Sequence, residues 1–417
     1  MRFSDPEKYQ EFQKLGENNY TSGPLVVPLA SLNRGSLSLA GGKAANLGEL
    51  IQAGFTVPDG FCITTTAYKL VRDSKDGPGP HLEELELALA SFEKRIPERL
   101  QELASIAEAA WWNVQVPGSL VTAITQAYQE LSKGEFLSVA VRSSATAEDL
   151  PSASFAGQHE SYLNVVGIEA VLKTVRRCWA SLWTGRAVSY RANLDLASSQ
   201  VYLAVVVQRM VEAHVAGVLF TANPITGKRH QAVIDASPGL GEAVVSGASN
   251  PDHFVVNIPS ATSSGKVIER YLGDKRVTIH SIRGGGTRRI DQAEPSRKYC
   301  LTEAQVLALA ALGSHLEKQM EAPQDIEWAI DEAEQTWLLQ ARPITTLFPL
   351  PKNCPTSEEN LRVYLSFNIQ QGTYRPTTPM GISATRMLAS ALLTLAGFPP
   401  PDPKAGPDFI KEAASRV

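Results

Sequence analysis

The residues best suited to chemistry cluster between Gln324 and Thr345, in QDIEWAIDEAEQTWLLQARPIT. DIEWAI alternates and is rich in Ile and Trp, DEAEQ supplies an acidic turn, and TWLLQARPI returns, so the stretch reads as a β-hairpin. Alternation along its two strands can bring Asp325 or Glu327 beside Gln340 and Arg342. A carboxylate, an amide oxygen and a guanidinium gathered there suit a magnesium ion carrying phosphates: hard oxygen ligands for the metal, a planar cation for the charge. An ordinary edge hairpin with solvated charges would use the same residues, and the hairpin alone leaves both readings open.

Two further stretches carry candidate chemistry. In LSLAGGKAANLGEL, Gly41 and Gly42 open a turn and Lys43 starts a helix whose buried face is Ala44, Leu47 and Leu50. A glycine pair followed by lysine at a helix start suits a phosphate, because backbone N–H groups point outward and the ammonium adds charge. The GxxxxGK[ST] spacing of a Walker loop is absent, and a solvated lysine fits the residues as well. In FLSVAVRSSATAEDLPSASFAGQHESYLNV, an apolar strand ends at Arg142 and is followed by Ser143, Ser144, Ala145 and Thr146. A second small-residue loop, Ser152 to Gly157, precedes a strand from Ser161 to Val165. Flexible Ser/Ala/Gly loops bracketing an arginine suit a lid over a triphosphate; a plain surface loop is the alternative.

The elements that must position these residues follow from periodicity. A strand is expected at Leu25 to Leu29, and charged amphipathic helices over 69–135 form a scaffold to which no chemistry attaches. One long helix is expected from Glu169 to Tyr190, with Trp179 and Trp183 packing at i, i+4. VYLAVVVQRMV reads as a buried strand turning polar at Gln208 and Arg209 before Met210. AGVLFTANPITGKRHQAVIDASPGLGEAVVSG gives strand, turn, strand and a glycine-rich loop. The polar 260–286 region with GGGTRR reads as a β-ribbon and loop. LTEAQVLALAALGSHLEKQM is an amphipathic helix capped by Thr302 with Gln305 at its third position. Beyond Arg342 a Pro-rich linker leads to LRVYLSF, a strand, and ISATRMLASALLTLAGF, an apolar helix.

Composition bounds the function classes. A chain of 417 residues holds two or three domains, and 43% hydrophobic with 20% charged residues is ordinary for a globular protein. A net charge of -4 implies no general attraction to nucleic acid or acidic membrane. The four cysteines form no CxxC pair and are expected as inert thiols in a reducing compartment. No apolar run is long enough to cross a bilayer, and a cytoplasmic location is expected.

Taken together, GGKAANLGEL, VAVRSSATAEDLPSASFAGQ, VQRMV with AGVLFTANPITG, GLGEAVVSG, and QDIEWAI with LLQARPIT resemble the ATP-binding domain of the phosphoenolpyruvate synthase and pyruvate phosphate dikinase family. The order of all five segments over roughly 35–345 makes the resemblance specific. VYLAVVVQRMV, ARPITTLFPLP and SFNIQQGTYRPTTPMGIS point further to the family's rifampin phosphotransferase branch. The resemblance implies an α+β, ATP-grasp fold of two subdomains, 1–200 and 201–345. After them, 346–417 would be a linker and the incomplete start of a further α/β domain of acceptor type.

It also implies roles. Lys43 would contact the α- and β-phosphates, and Arg142 the terminal phosphates from a mobile loop. Gly157 and Ser161 would lie over the phosphates, with Gln208, Arg209 and Met210 as the hinge reading adenine. Glu327 and Gln340 would hold Mg²⁺, and Arg342 would stabilise the transferred phosphoryl group, with Lys43 and Arg142 completing the catalytic set. ATP would phosphorylate a histidine on a separate carrier domain, and a rifamycin-like molecule or pyruvate would be the final acceptor. None of His81, His159, His214, His230, His253, His280 and His315 sits in a segment resembling that carrier. The chain is therefore expected to need a further segment or polypeptide; the competing expectation is a truncated, catalytically incomplete ATP-binding or regulatory module.

Overall fold

The computed structural model describes residues 23–91, 96–134, 136–146, 149–150, 153–154, 161–193, 201–258 and 265–347. Gly157, the strand expected at LRVYLSF and the apolar helix over 382–398 lie outside them. Among the described residues the chain is a mixed α/β structure built on two antiparallel sheets.

The first half starts with β1 (Val26–Pro28), α1 (Leu37–Gln52) and β2 (Gly60–Ile63). Four helices follow: α2 (Thr65–Arg72), α3 (Gly79–Ala90), α4 (Pro97–Asn113) and α5 (Gly118–Ser132). Next come β3 (Ser138–Ala145), the two-residue pieces β4 (Asp149–Leu150) and β5 (Ala153–Ser154), and β6 (Ser161–Val166). Helices α6 (Ile168–Ser181) and α7 (Gly185–Asn193) lead to β7 (Leu203–Arg209). The single helix expected over 169–190 is thus broken in two before Gly185. Trp179 and Trp183 are core residues as expected, both buried, and Trp183 Nε1 donates to Tyr68 Oη at 3.0 Å. The five-stranded sheet runs β1-β2-β7-β3-β6, so β7, beyond residue 200, completes the first sheet.

The second half contains β8 (Ala213–Phe220), β9 (Gln231–Pro238), the short helix α8 (Glu242–Val245), β10 (Asp252–Asn257) and β11 (Lys266–Tyr271). The ribbon β12 (Val277–Ser281) and β13 (Thr287–Asp291) precedes α9 (Glu303–Met320), β14 (Gln324–Asp331) and β15 (Thr336–Pro343). Its six-stranded sheet runs β11-β10-β9-β8-β14-β15. The start of α9 forms the expected capping box, Gln305 N donating to Thr302 Oγ1 at 3.3 Å and Thr302 N to Gln305 Oε1 at 2.9 Å.

Alternation sorts each strand between two cores. Val139, Val141, Val205 and Val207 face the helices α2–α7. Cys62, Ala204 and Val206 turn the other way, into a core shared with α1, α9 and the strands of the second sheet. The described part of Tyr20–Leu347 is one compact unit for this reason. Cys62 and Cys178 are buried free thiols, and burial pushes the Cys62 thiol up. No helix among the described residues is long and apolar enough to cross a membrane.

Two differences from the sequence expectation bear on the site. Ser143, Ser144 and Ala145 are not a flexible loop; they extend β3, pairing with Val205, Ala204 and Leu203 of β7, and all three are buried. Small side chains are needed there because α1 packs directly on the strand. The helix itself is interrupted at Gly41, whose φ is +73°. Ser144 Oγ donates to Ala40 O at 2.8 Å and accepts from Ala44 N at 3.1 Å, so one hydroxyl splices the ladder across the kink. A Cβ on Gly41 would stand 2.2 Å from Ser144 O.

Gly41→Ala is therefore expected to cost about 3 kcal/mol or more, combining backbone strain with a clash. Ser144→Ala, which only removes the splice, should cost about 1–2 kcal/mol. Urea unfolding of both variants checks the order, and an Ala at 41 as stable as the parent would refute the kink as a constraint.

Candidate functional site

The Gly41 kink ends one helical segment and starts another, which places Lys43 in the first turn of the second. Lys43 is buried, 6% exposed, and its Nζ donates to Ser143 O at 3.1 Å. The solvated-lysine alternative is excluded by this burial. Arg142, the next residue back along β3, is also 6% exposed. Its strand neighbours are Val206 of β7 and Ser161 of β6, so Ser161, itself exposed, sits directly across from the arginine.

The hairpin forms with the expected strands at one edge of the second sheet: β15 is outermost, and β14 is interior, paired with β8 on one side and β15 on the other. Its register sets Glu327 opposite Gln340 and Asp325 opposite Arg342. A bulge follows, since Trp328 pairs with Leu338 and leaves Leu339 without a counterpart. The Leu339 carbonyl accepts from Arg142 Nη1 at 3.1 Å, while Arg142 Nη2 lies 3.4 Å from Glu327 Oε2. The two halves of the molecule are joined here by one guanidinium. Arg142 Nε is buried with no hydrogen-bond partner among the described residues, so the group is not fully satisfied.

Arg342 pairs with Asp325 rather than Glu327, Nε to Oδ2 at 2.9 Å. Burial pushes the Asp325 carboxyl up, and the Arg342 charge opposes that shift. Lys43, Arg142, Ser161, Glu327 and Gln340 are thus linked by contact or register, with Asp325 and Arg342 one step along the same sheet face. Among the described residues no three His, Cys, Asp or Glu side chains converge as a metal cage. The donor set is one carboxylate and one amide, which suits an ion that keeps waters and takes its remaining oxygens from phosphates.

Gln208, at the end of β7, stands two residues beyond Val206, the strand partner of Arg142, and so one step along the same sheet face. It is buried, and its Nε2 donates to Pro58 O at 3.2 Å. Alternation sends Arg209 to the opposite face, where Nη2 donates to Leu131 O at 2.7 Å. Met210 N donates to Ser138 O at 3.0 Å, and Met210 and Leu163 both pack against the small cluster of Leu240, Ala243 and Ile279.

Several residues of this region carried no sequence signal. Asn164, with φ of +54°, donates from Nδ2 to Ile282 O at 2.8 Å and Gly286 O at 2.6 Å, tying the β12–β13 ribbon to the first sheet. The ribbon itself was legible, but its docking point was not. On the second sheet, Glu327 neighbours Val218, Val218 neighbours Asp235, and Asp235 neighbours His253. Asp235 Oδ1 and His253 Nδ1 are 2.7 Å apart. This pair therefore shares the sheet face of Glu327, Asp235 two and His253 three strand spacings away, roughly 10 and 14 Å.

With this geometry described, comparison with known proteins assigns the class. The pyruvate phosphate dikinase AMP/ATP-binding domain matches residues 37–359, and the chain belongs to that family. A rifampicin phosphotransferase from Streptomyces sp is 42% identical over 378 residues, covering 90% of this chain and 42% of the relative. The rifampicin phosphotransferase of Bacillus subtilis is 39% identical over 376 residues, with 89% and 42% covered. The phosphoenolpyruvate synthase of Pyrococcus furiosus is 40% identical over 367 residues, with 79% and 44% covered. The chain thus spans about two fifths of the length of these curated relatives. A likeness to D-alanyl-alanine synthetase A from Vibrio cholerae, 13% identical with a TM-score of 0.21 over 55% of this chain and 47% of that one, carries no weight in the assignment.

The Asp235–His253 pair yields a pH test. The hydrogen bond that His253 Nδ1 donates to Asp235 raises the imidazole above its ordinary 6.5, and partial burial opposes it. A raised native value means the pair's stability is full below the unfolded value and lost as pH rises through the native one. Asp235→Asn should bring the imidazole titration back toward its ordinary range by NMR. The variant should also lose the acid-side excess of stability, about 0.5 kcal/mol after solvent screening. An imidazole titration unmoved by Asp235→Asn would contradict the coupling.

Proposed function

We propose that this chain is an ATP-grasp, Mg²⁺-dependent phosphotransferase module that passes a phosphoryl group from ATP to a histidine carrier. The observation that carries the reading is the contact of Arg142 with Glu327, beside Lys43 and Gln340, in a member of an ATP-binding-domain family. The two subdomains of the fold would correspond to the two sheets, with the division after Arg209. The whole would act in the cytoplasm.

Glu327 and Gln340 would hold the magnesium, which when bound screens charge on the phosphates. Arg142 is a buried cation half satisfied by Glu327 and the Leu339 carbonyl. Phosphate oxygens offer it stronger, bidentate partners, so nucleotide binding would exchange a carboxylate for phosphate at the guanidinium. Lys43, held on a strand carbonyl, is a point charge for the α- and β-phosphates, with Gly157 and Ser161 over them. Arg342 would offset charge on the transferred group while Asp325 fixes its orientation. Gln208 to Met210 would read the adenine, the base lying on the side of Leu163, Met210, Leu240 and Ile279. Phosphoryl transfer needs mainly this placement of charge plus an in-line nucleophile. The nucleophile would be an imidazole on a carrier segment other than the parts described, and the final acceptor a rifamycin-like molecule or pyruvate.

Lys43→Ala and Arg342→Ala should each weaken ATP binding about tenfold or more, on the order of 1.4 kcal/mol, and Arg342→Lys should weaken it too because the planar fork is lost. Calorimetry showing parental ATP affinity in both alanine variants would sink the assignment. Glu327→Gln keeps an oxygen for Arg142 but loses the carboxylate, so the Mg²⁺ dependence of ATP binding should flatten. Unchanged Mg²⁺ dependence would rule Glu327 out as a ligand.

The chain alone, incubated with ATP, Mg²⁺ and either rifampicin or pyruvate, should form no phosphorylated acceptor. Phosphohistidine should appear once a relative's histidine-bearing domain is added. Acceptor phosphorylated by the chain alone would overturn the need for a carrier.

A further inference from the structure

A cleft of about 450 Å³ is lined by the linker after β7, the Val57–Asp59 loop and the hairpin turn at Asp331–Ala333. Its apolar lining comes from Val57, Pro58, Met210, Val211 and Trp337, and its polar lining from Asp59, Glu212, Asp331, Glu332 and Arg209. Arg209 and Met210 of the proposed hinge border it, but none of Lys43, Arg142, Asp325, Glu327, Gln340 and Arg342 lines it.

The walls are fixed by hydrogen bonds. Arg209 N donates to Asp59 O at 2.8 Å and Leu338 N to Thr56 O at 2.9 Å, joining the loop to both the linker and the hairpin. Asp331 closes the turn, with Oδ1 accepting from Ala333 N at 3.0 Å and Gln335 N at 2.9 Å. Its Oδ2 accepts from Trp337 Nε1 at 2.8 Å, which holds the indole in one orientation. Asp331 is consumed by these bonds. Asp59, Glu212 and Glu332 are exposed and remain at the opening.

The lining selects its ligand by charge and shape. Four carboxylates against one guanidinium reject an anion, and that guanidinium already donates to Leu131 O. The carboxylates do not form a three-ligand metal cage among the described residues. An apolar floor with an indole favours a flat or aliphatic body, and an ammonium beside the ring gains from both the π face and the carboxylates. We propose that this cleft is a binding site for a small organic amine, with its apolar body against Trp337 and Val211 and its ammonium toward Glu212 and Glu332. The site is distinct from the adenine position proposed above, which lies on the Leu163, Leu240 and Ile279 side of Met210.

The test uses the full chain with tryptamine as probe and tryptophol, its neutral hydroxyl analogue, as control. Calorimetry should show tryptamine binding more tightly than millimolar and tryptophol at least about tenfold more weakly. Glu212→Gln/Glu332→Gln, two exposed substitutions, should weaken tryptamine at least about tenfold while circular dichroism and ATP binding stay parental. Saturating ATP with Mg²⁺ should leave tryptamine bound. The proposal fails if no heat is seen at several millimolar tryptamine, if tryptophol or the double variant binds equally well, or if ATP displaces the amine. Loss of ATP binding in Lys43→Ala would leave this result untouched, so the two readings fail separately.

Discussion

Beyond the apolar core that the two halves of this protein share, one guanidinium sets the charge balance between them. Arg142 issues from the first sheet, is nearly fully buried, and finds its partners on the second: the Glu327 carboxylate and the Leu339 carbonyl. A buried cation cannot be left without compensation, because removing one member of such a pair strands the other in a poorly solvating environment. The bulge at Leu339 matters for this reason. In a regular ladder that residue would have a counterpart on β14; the extra residue leaves its carbonyl available to a group arriving from outside the sheet.

The constraint reaches back into the first sheet. Arg142 is held by the strand that also carries Ser143 and Ser144, and those two residues receive Lys43 and the kinked helix α1. Gly41 permits the kink, Ser144 splices it, and Lys43 is delivered next to Arg142 as a consequence. Two cations are thereby concentrated on one strand and helix start facing one acidic hairpin. A polyphosphate is a ligand that would relieve the repulsion between such cations while freeing Glu327 for a metal.

A second tie, independent of charge, runs through Asn164 and the β12–β13 ribbon. Its left-handed backbone aims the side-chain amide at two carbonyls of the ribbon loop. The amide donor is used twice, and Oδ1 accepts from Ser138 Oγ at 2.6 Å, so this contact carries little unsatisfied polarity. The Arg142 contact, with Nε unpartnered, is the less satisfied of the two. A join that is tight at one place and unsatisfied at another is suited to change at the second.

Local signals were readable from the residues. The alternation of DIEWAI and TWLLQARPI, the Thr302–Gln305 capping box, the apolar VYLAVVVQRM strand and the helix after Gly42 are each encoded within a few neighbouring residues, and each formed. The candidate residues Lys43, Arg142, Glu327, Gln340 and Arg342 were legible for the same reason, as residue types standing at element ends and hairpin positions. What the sequence could not supply was pairing across long separations. That Ser143 to Ala145 continue a strand depends on β7, some sixty residues away. That Arg142 meets Glu327, that Asp325 takes Arg342, and that Asp235 and His253 extend the same face depend on strand order and a one-residue bulge. The hairpin stretch held both Asp325 and Arg342 and left open only which carboxylate takes the arginine; the meeting of Arg142 with Glu327 is set by how two sheets and a kinked helix share a core, and no short window of the sequence contains both of those partners.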